Sequence, residues 1–105
     1  MHVLIVTFGL EGLTEAEYYR GCDRDAPAFA DIPGMIAKVW IADPATNTYG
    51  GVYTFCDRES LEAYLASGLF RAIQEAPAFA GVRAETFAVL EGPTQVTHGA
   101  AVQAA

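Results

Sequence analysis

Basic side chains are scarce in this sequence. Six lysines and arginines stand against thirteen aspartates and glutamates, for a formal net charge of −7. The six are scattered rather than clustered, which excludes DNA, RNA and anionic membrane as partners, because phosphate binding rests on grouped cations. Cysteine is nearly absent too. Cys22 and Cys56 have no paired metal-knuckle spacing and are too few for a disulfide scaffold, so they read as reduced thiols of a cytosolic protein. No Gly-x-Gly-x-x-Gly follows a strand, so no nicotinamide or flavin fingerprint exists. No histidine–carboxylate cluster suggests iron, and the expectation is a chain with neither metal nor cofactor. The apolar N-terminal run stops at Gly9, too short to span a bilayer, and no basic leader precedes it, which predicts a cytoplasmic protein.

Apolar side chains, by contrast, are plentiful. They make up 52% of the 105 residues, a high share for one small domain. Such an excess is usually hidden against a partner or around a ligand.

His2 to Phe8 is apolar and β-branched, and lacks strict alternation, so it predicts a strand buried on both faces. Thr14 and Glu17 form a capping box, and Leu13 and Tyr18 hold the positions of a hydrophobic staple. Tyr18, Cys22, Ala26 and Phe29 then follow one helical stripe, with a kink or break expected at Pro27. Asp57 caps a second helix whose apolar stripe is Leu61, Tyr64 and Leu65, with Gly68 as an αL terminator. Leu69 to Ala76 predicts a short further helix. Val82 to Leu90 predicts a last strand, ended by Gly92-Pro93. Residues 1–97 form the single domain, and the Ala-rich tail, residues 98–105, is expected to be flexible.

The segment from Pro33 to Phe55 carries most of the information. Met35 to Ala42 and Tyr49 to Phe55 are two β-prone runs joined by turn formers, which predicts a hairpin. If Trp40 faces Tyr53, then Lys38 faces Phe55, and a cation, an indole, a phenol and a phenyl ring share one face. A slip of one residue would separate them. Gly50-Gly51 suggests a bulge or tight turn.

The predicted order is β-α-β-β-α-β. Ala-Pro-Ala-Phe-Ala occurs at 26–30 and again at 76–80, each copy placed between a helix and the next strand. This suits two βαβ halves, an α+β ferredoxin-like domain with helices on one face of a four-stranded antiparallel sheet. The other face needs cover, and a second copy of the chain is the simplest cover, so an isologous homodimer is expected.

The residues Pro33-Gly34, Lys38-Val39-Trp40, Gly50-Gly51-Val52-Tyr53-Thr54-Phe55-Cys56-Asp57-Arg58-Glu59-Ser60 and Ala63-Tyr64-Leu65 resemble the YdhR-type putative mono-oxygenase family. The resemblance runs from His2 to about Thr97. It implies a dimeric α+β barrel and similarity to small cofactor-independent oxygenases that act on polycyclic aromatics. Lys38, Trp40, Gly50, Gly51, Tyr53 and Phe55 fall on the motif, which brings no proven catalytic residue with it. The fold also hosts isomerases, decarboxylases, haem-degrading enzymes and ligand carriers.

An oxygenase without a cofactor needs a substrate that reduces oxygen itself, such as a deprotonated phenol or hydroquinone. The protein then supplies a dry aromatic slot, a proton acceptor and a positive charge near the oxyanion. Lys38, Trp40 and Tyr53 are the candidate catalytic residues, with Tyr18 and Phe55 as substrate-binding walls. Each also suits a structural role: Trp40 in a core or interface, Lys38 snorkelling at an edge, Tyr53 and Phe55 in the core, Tyr18 as a staple. Arg83 could reach a pocket from the last strand, whereas Arg71 reads as surface charge; His2 reads as a strand-end residue and His98 as part of the tail. Three classes stay open: a cofactor-free oxygenase on an electron-rich aromatic, a non-oxidative isomerase or cyclase on a similar molecule, and a dimeric small-molecule binder without turnover.

Overall fold

In the computed structural model, which describes residues 1–97, the N-terminal apolar run becomes β1 (His2–Leu10) inside a four-stranded antiparallel sheet. The chain continues through α1 (Glu15–Ala30), the hairpin strands β2 (Met35–Asp43) and β3 (Thr48–Phe55), two short helices α2 (Arg58–Leu65) and α3 (Gly68–Glu75), β4 (Phe79–Ala88), and a final helix α4 (Glu91–Val96). The strands lie in the order β2-β3-β1-β4, with every neighbouring pair antiparallel. This is the ferredoxin-like α+β topology expected from the sequence.

Register divides the sheet into two faces. Leu4, Val6 and Phe8 of β1 stand opposite Tyr53, Gly51 and Tyr49 of β3. That face is buried beneath Tyr18 and Phe29 of α1, Leu61 and Tyr64 of α2, and Phe70 of α3. On the other face Val3, Ile5 and Thr7 oppose Thr54, Val52 and Gly50, flanked by Val39 of β2 and Phe87 of β4. Among the described residues, α1, α2 and α3 leave this face open, and α4 reaches only one end of it, where Pro93 and Thr94 line a hollow with Val3 and Thr54. Val39 and Phe87 are 59% and 52% exposed. Within one chain, β1 is therefore fully buried on one face only, where the sequence predicts burial on both.

Local signals explain most boundaries. Thr14 accepts from the Glu17 amide at 3.1 Å while Glu17 accepts from the Thr14 amide at 2.9 Å, the reciprocal box that starts α1. Asp57 accepts from the Ser60 amide at 2.7 Å and starts α2. Gly34 has φ +74, and a Cβ there would strike the Ser60 side chain, so only glycine lets the turn before β2 lie against α2.

Other expectations are corrected. Pro27 does not break α1, which runs through it to Ala30, because the proline sits in the last turn and little helix lies beyond it. The first Ala-Pro-Ala-Phe-Ala copy is consequently helical, whereas the second leaves α3 and enters β4. Gly68 does not terminate α2; Ser67 accepts from the Phe70 amide and caps α3, with Gly68 as its first residue. Gly92 and Pro93 end no strand but lie in the first turn of α4, where a missing amide proton costs little. The bulges fall near Ile36 and between Thr7 and Gly9, not at Gly50-Gly51. The expected flexible tail and His98 lie outside the described residues.

Candidate functional site

The connection between β2 and β3 is short: a 3-10 turn, Pro44–Thr46, then Asn47 in the left-handed region at φ 50. The tight connection sets the register. Lys38 stands opposite Tyr53 and Trp40 opposite Gly51, two residues away from the pairing considered from sequence. A slip of two keeps every side chain on its face. Lys38, Trp40, Tyr53 and Phe55 therefore do share one face, the one under the helices.

Between that face and α1 lies a cavity of about 430 Å³, in the size range of small-molecule pockets. Lys38, Trp40, Tyr53 and Tyr18 all line it, joined by Phe29 and Cys22 of α1. Phe55 does not. It is completely buried beneath the cavity floor, with its ring stacked 6.2 Å from that of Tyr53. Phe55 supports the site without facing it, which corrects its place as a wall.

Lys38 occupies an aromatic cage. Its Nζ sits 3.5 Å from the ring centroid of Phe29, 3.5 Å from that of Trp40 and 4.6 Å from that of Tyr53. Phe29 and Trp40 meet edge to face at 5.2 Å, which holds two cage walls against each other. Among the described residues, Lys38 makes neither an ion pair nor a hydrogen bond. Burial pushes its amine down to about 7, with the Cys22 side chain acting weakly in the other direction. Gly51 makes the arrangement sterically feasible, because a Cβ there would lie 2.7 Å from the Lys38 Cε. Its neighbour Gly50 has a second reason: a Cβ would collide with the Val6 carbonyl oxygen across the β3–β1 ladder.

The phenols stay protonated. The Tyr53 hydroxyl lies 2.9 Å from that of Tyr64 in the core, and burial raises both, Tyr64 to about 12. Burial also raises Tyr18, and a hydrogen bond with Cys22 adds to the effect. Of these phenols and Lys38, only the amine changes protonation near neutrality.

Arg83 faces away from the cavity, opposite Thr7 on the open face. Arg20 and Arg24 of α1 line the cavity instead, beside Glu17 and Asp25, and sequence reasoning missed them. It also missed Phe29 as a cage wall, although the stripe Tyr18, Cys22, Ala26 and Phe29 already put that ring on the inner face of α1. His2 starts β1, and its buried Nδ1 has no hydrogen-bond partner among the described residues.

Helices packed on one face of a β2-β3-β1-β4 sheet, with an aromatic cavity between the layers, define a ferredoxin-like α+β protein. The sequence matches the family described as putative mono-oxygenase ydhR over residues 3–100, and the chain belongs to that family. Among solved structures, it is similar to SnoaB of Streptomyces nogalater, a cofactor-independent oxygenase, at 20% identity and a TM-score of 0.66, covering 86% of this chain and 93% of that one. It is similar to the haem degrader MhuD of Mycobacterium tuberculosis at 17% identity and a TM-score of 0.68, covering 86% and 96%. NE2512 of Nitrosomonas europaea, a protein of unknown function, gives 17% identity and a TM-score of 0.70 over 87% and 90%. No curated protein matches significantly. At these identities the structural likeness concerns the fold alone. Among the described residues, no helix is long and apolar enough to cross a membrane, and no group of histidine, cysteine and carboxylate side chains could hold a metal ion.

Proposed function

We propose that this protein is a cofactor-independent mono-oxygenase for an electron-rich aromatic of the phenol or hydroquinone type, acting as a cytoplasmic homodimer. The observation that carries the reading is the caged amine of Lys38 in an aromatic cavity. An amine that titrates near 7 serves both halves of the chemistry. Neutral, it accepts the phenolic proton; as an ammonium, it then stands beside the phenolate it has made. Trp40 and Tyr18 wall the ring, and Tyr53 supports the amine from below. The phenolate gives one electron to oxygen, the phenoxyl radical and superoxide combine at the ring carbon para to the oxygen, and the peroxide anion so formed takes back the proton held on Lys38. Loss of water from the resulting hydroperoxide leaves a quinone. A phenol and one oxygen molecule thus become one quinone and one water, and the substrate supplies both electrons.

The open sheet face supports the dimer. Val39, Val52, Ile5, Val3 and Phe87 form an apolar surface that a second copy can cover by two-fold symmetry. Cys22 and Cys56 are free thiols, which suits the reducing cytoplasm.

Oxygen uptake with a panel of phenols and hydroquinones tests the reading. Uptake above the spontaneous rate that disappears in Lys38→Met supports it. Product formed without oxygen would select an isomerase or cyclase instead, and saturable binding with no product would select a carrier.

A further inference from the structure

We propose that Lys38 is also a carbonyl-capturing nucleophile, whose amine adds reversibly to an aromatic aldehyde or ketone seated in the cavity and forms an imine. This goes beyond the oxygenase reading and does not depend on it, because imine formation uses no oxygen.

Three observations converge. First, Lys38 is the only lysine in the 105 residues, and it lies in the largest aromatic cluster of the fold rather than on the surface. Second, among the described residues no carboxylate pairs with its ammonium form and no hydrogen-bond donor occupies the lone pair of its neutral form. Third, the same side chain lines a cavity large enough for an aromatic ring, on the side walled by Phe29, Trp40 and Tyr53, so a bound carbonyl compound comes within reach of the nitrogen. An amine desolvated in an apolar pocket is the arrangement that activates lysine as a nucleophile. The lowered protonation range of this amine agrees with that geometry.

The step balances without any further reagent. The nitrogen lone pair forms a C–N bond to the carbonyl carbon as the C=O π pair moves to oxygen. A proton passes from nitrogen to that oxygen, and water leaves as the C=N bond closes. Protonated, the resulting iminium draws electrons from the adjacent carbon, which eases removal of a proton there. The cavity would thus take ketone or aldehyde forms of its aromatic ligands as well as phenols.

The single lysine makes the test clean. The full chain is incubated with salicylaldehyde at pH 7 without oxygen, then reduced with sodium borohydride, digested and mapped by mass spectrometry. The chain offers only one other amine, the Met1 terminus, which lies 3.3 Å from Glu91. An ordinary lysine is neutral to only about one part in 2,500 at pH 7, so Lys38 should be labelled at least about 100-fold faster than Nα-acetyl-lysine. Lys38→Arg should lose that label and keep any on Met1. Gly51→Ala retains the lysine but crowds its stem, and should slow labelling towards the free amino acid. Label confined to Met1, or Lys38 labelled no faster than Nα-acetyl-lysine, overturns the proposal. Oxygen uptake and its pH profile judge the oxygenase reading separately, since accepting a proton does not require attack on carbon. Failure of oxygen uptake, conversely, leaves the labelling result intact.

Discussion

Gly51 and Lys38 are sterically matched across neighbouring strands: the glycine has no Cβ where one would sit 2.7 Å from the lysine Cε. The obstructing contact is with the far part of a flexible side chain. Gly51→Ala should therefore fold, and should displace the amine from the rings of Phe29 and Trp40. The chain's single tryptophan, Trp40, gives the readout. In the native protein its fluorescence should titrate with a midpoint near 7, following the amine over its ring. In Gly51→Ala the midpoint should move upward, towards an ordinary lysine.

The same amine sets a pH dependence of stability. Its value in the folded chain lies below that of the unfolded chain, so between about 7 and the ordinary lysine range the unfolded state carries the extra proton. The contribution of Lys38 to stability should rise with pH through that window. Below it, both states are protonated and the folded chain bears the full cost of the desolvated cation. Thermal melts should show Lys38→Met gaining more over the native protein at pH 6 than at pH 9.

Turnover should follow the neutral amine. If Lys38 accepts the substrate proton, the rate of oxygen uptake should climb as pH rises through about 7. Lys38→Met should lower the rate by roughly 10²- to 10⁴-fold, the usual worth of a positioned base. A flat pH profile would argue against the amine as the proton acceptor.

Beneath the cavity, Tyr53→Phe removes one end of the buried 2.9 Å contact with Tyr64. The remaining hydroxyl loses its partner, at a cost of about 1–3 kcal/mol. Urea denaturation should show a lower midpoint with an unchanged slope.

The open sheet face makes its own prediction. Val39→Asp places a carboxylate at the centre of β2 on the uncovered side. If two copies meet there, sedimentation should show a dimer for the native chain and a monomer for the variant, with Trp40 fluorescence retained. A native chain that sediments as a monomer at micromolar concentration rules out that partner.

The topology was legible because capping residues and strand periodicity act locally. Thr14, Glu17 and Asp57 announce their helices through contacts with backbone three residues away. The shared face of Lys38, Trp40 and Tyr53 was legible for a different reason. Alternation along a strand survives any even slip, so the face was correct while the partner residue was not. What could not be read depends on distance through space. Phe29 reaches Lys38 only once α1 folds over the sheet, and Phe55 drops below the cavity because α2 sets Tyr64 next to it. Gly51 looked like a backbone device because its significance lies in the volume of a side chain on another strand. The α4 helix was missed because Gly92 and Pro93 stop strands in general, yet both are admissible in a first helical turn.

Asn47 bears on how the pocket can open. Its side chain accepts from the Leu10 amide at 3.2 Å and donates to the Leu10 carbonyl at 3.1 Å, latching the tip of the β2–β3 hairpin to the end of β1. The strand that carries the amine is thereby pinned at its far end to β1 of the same sheet. Any breathing that admits a guest has to come from the helical roof, with the floor and its amine staying where they are.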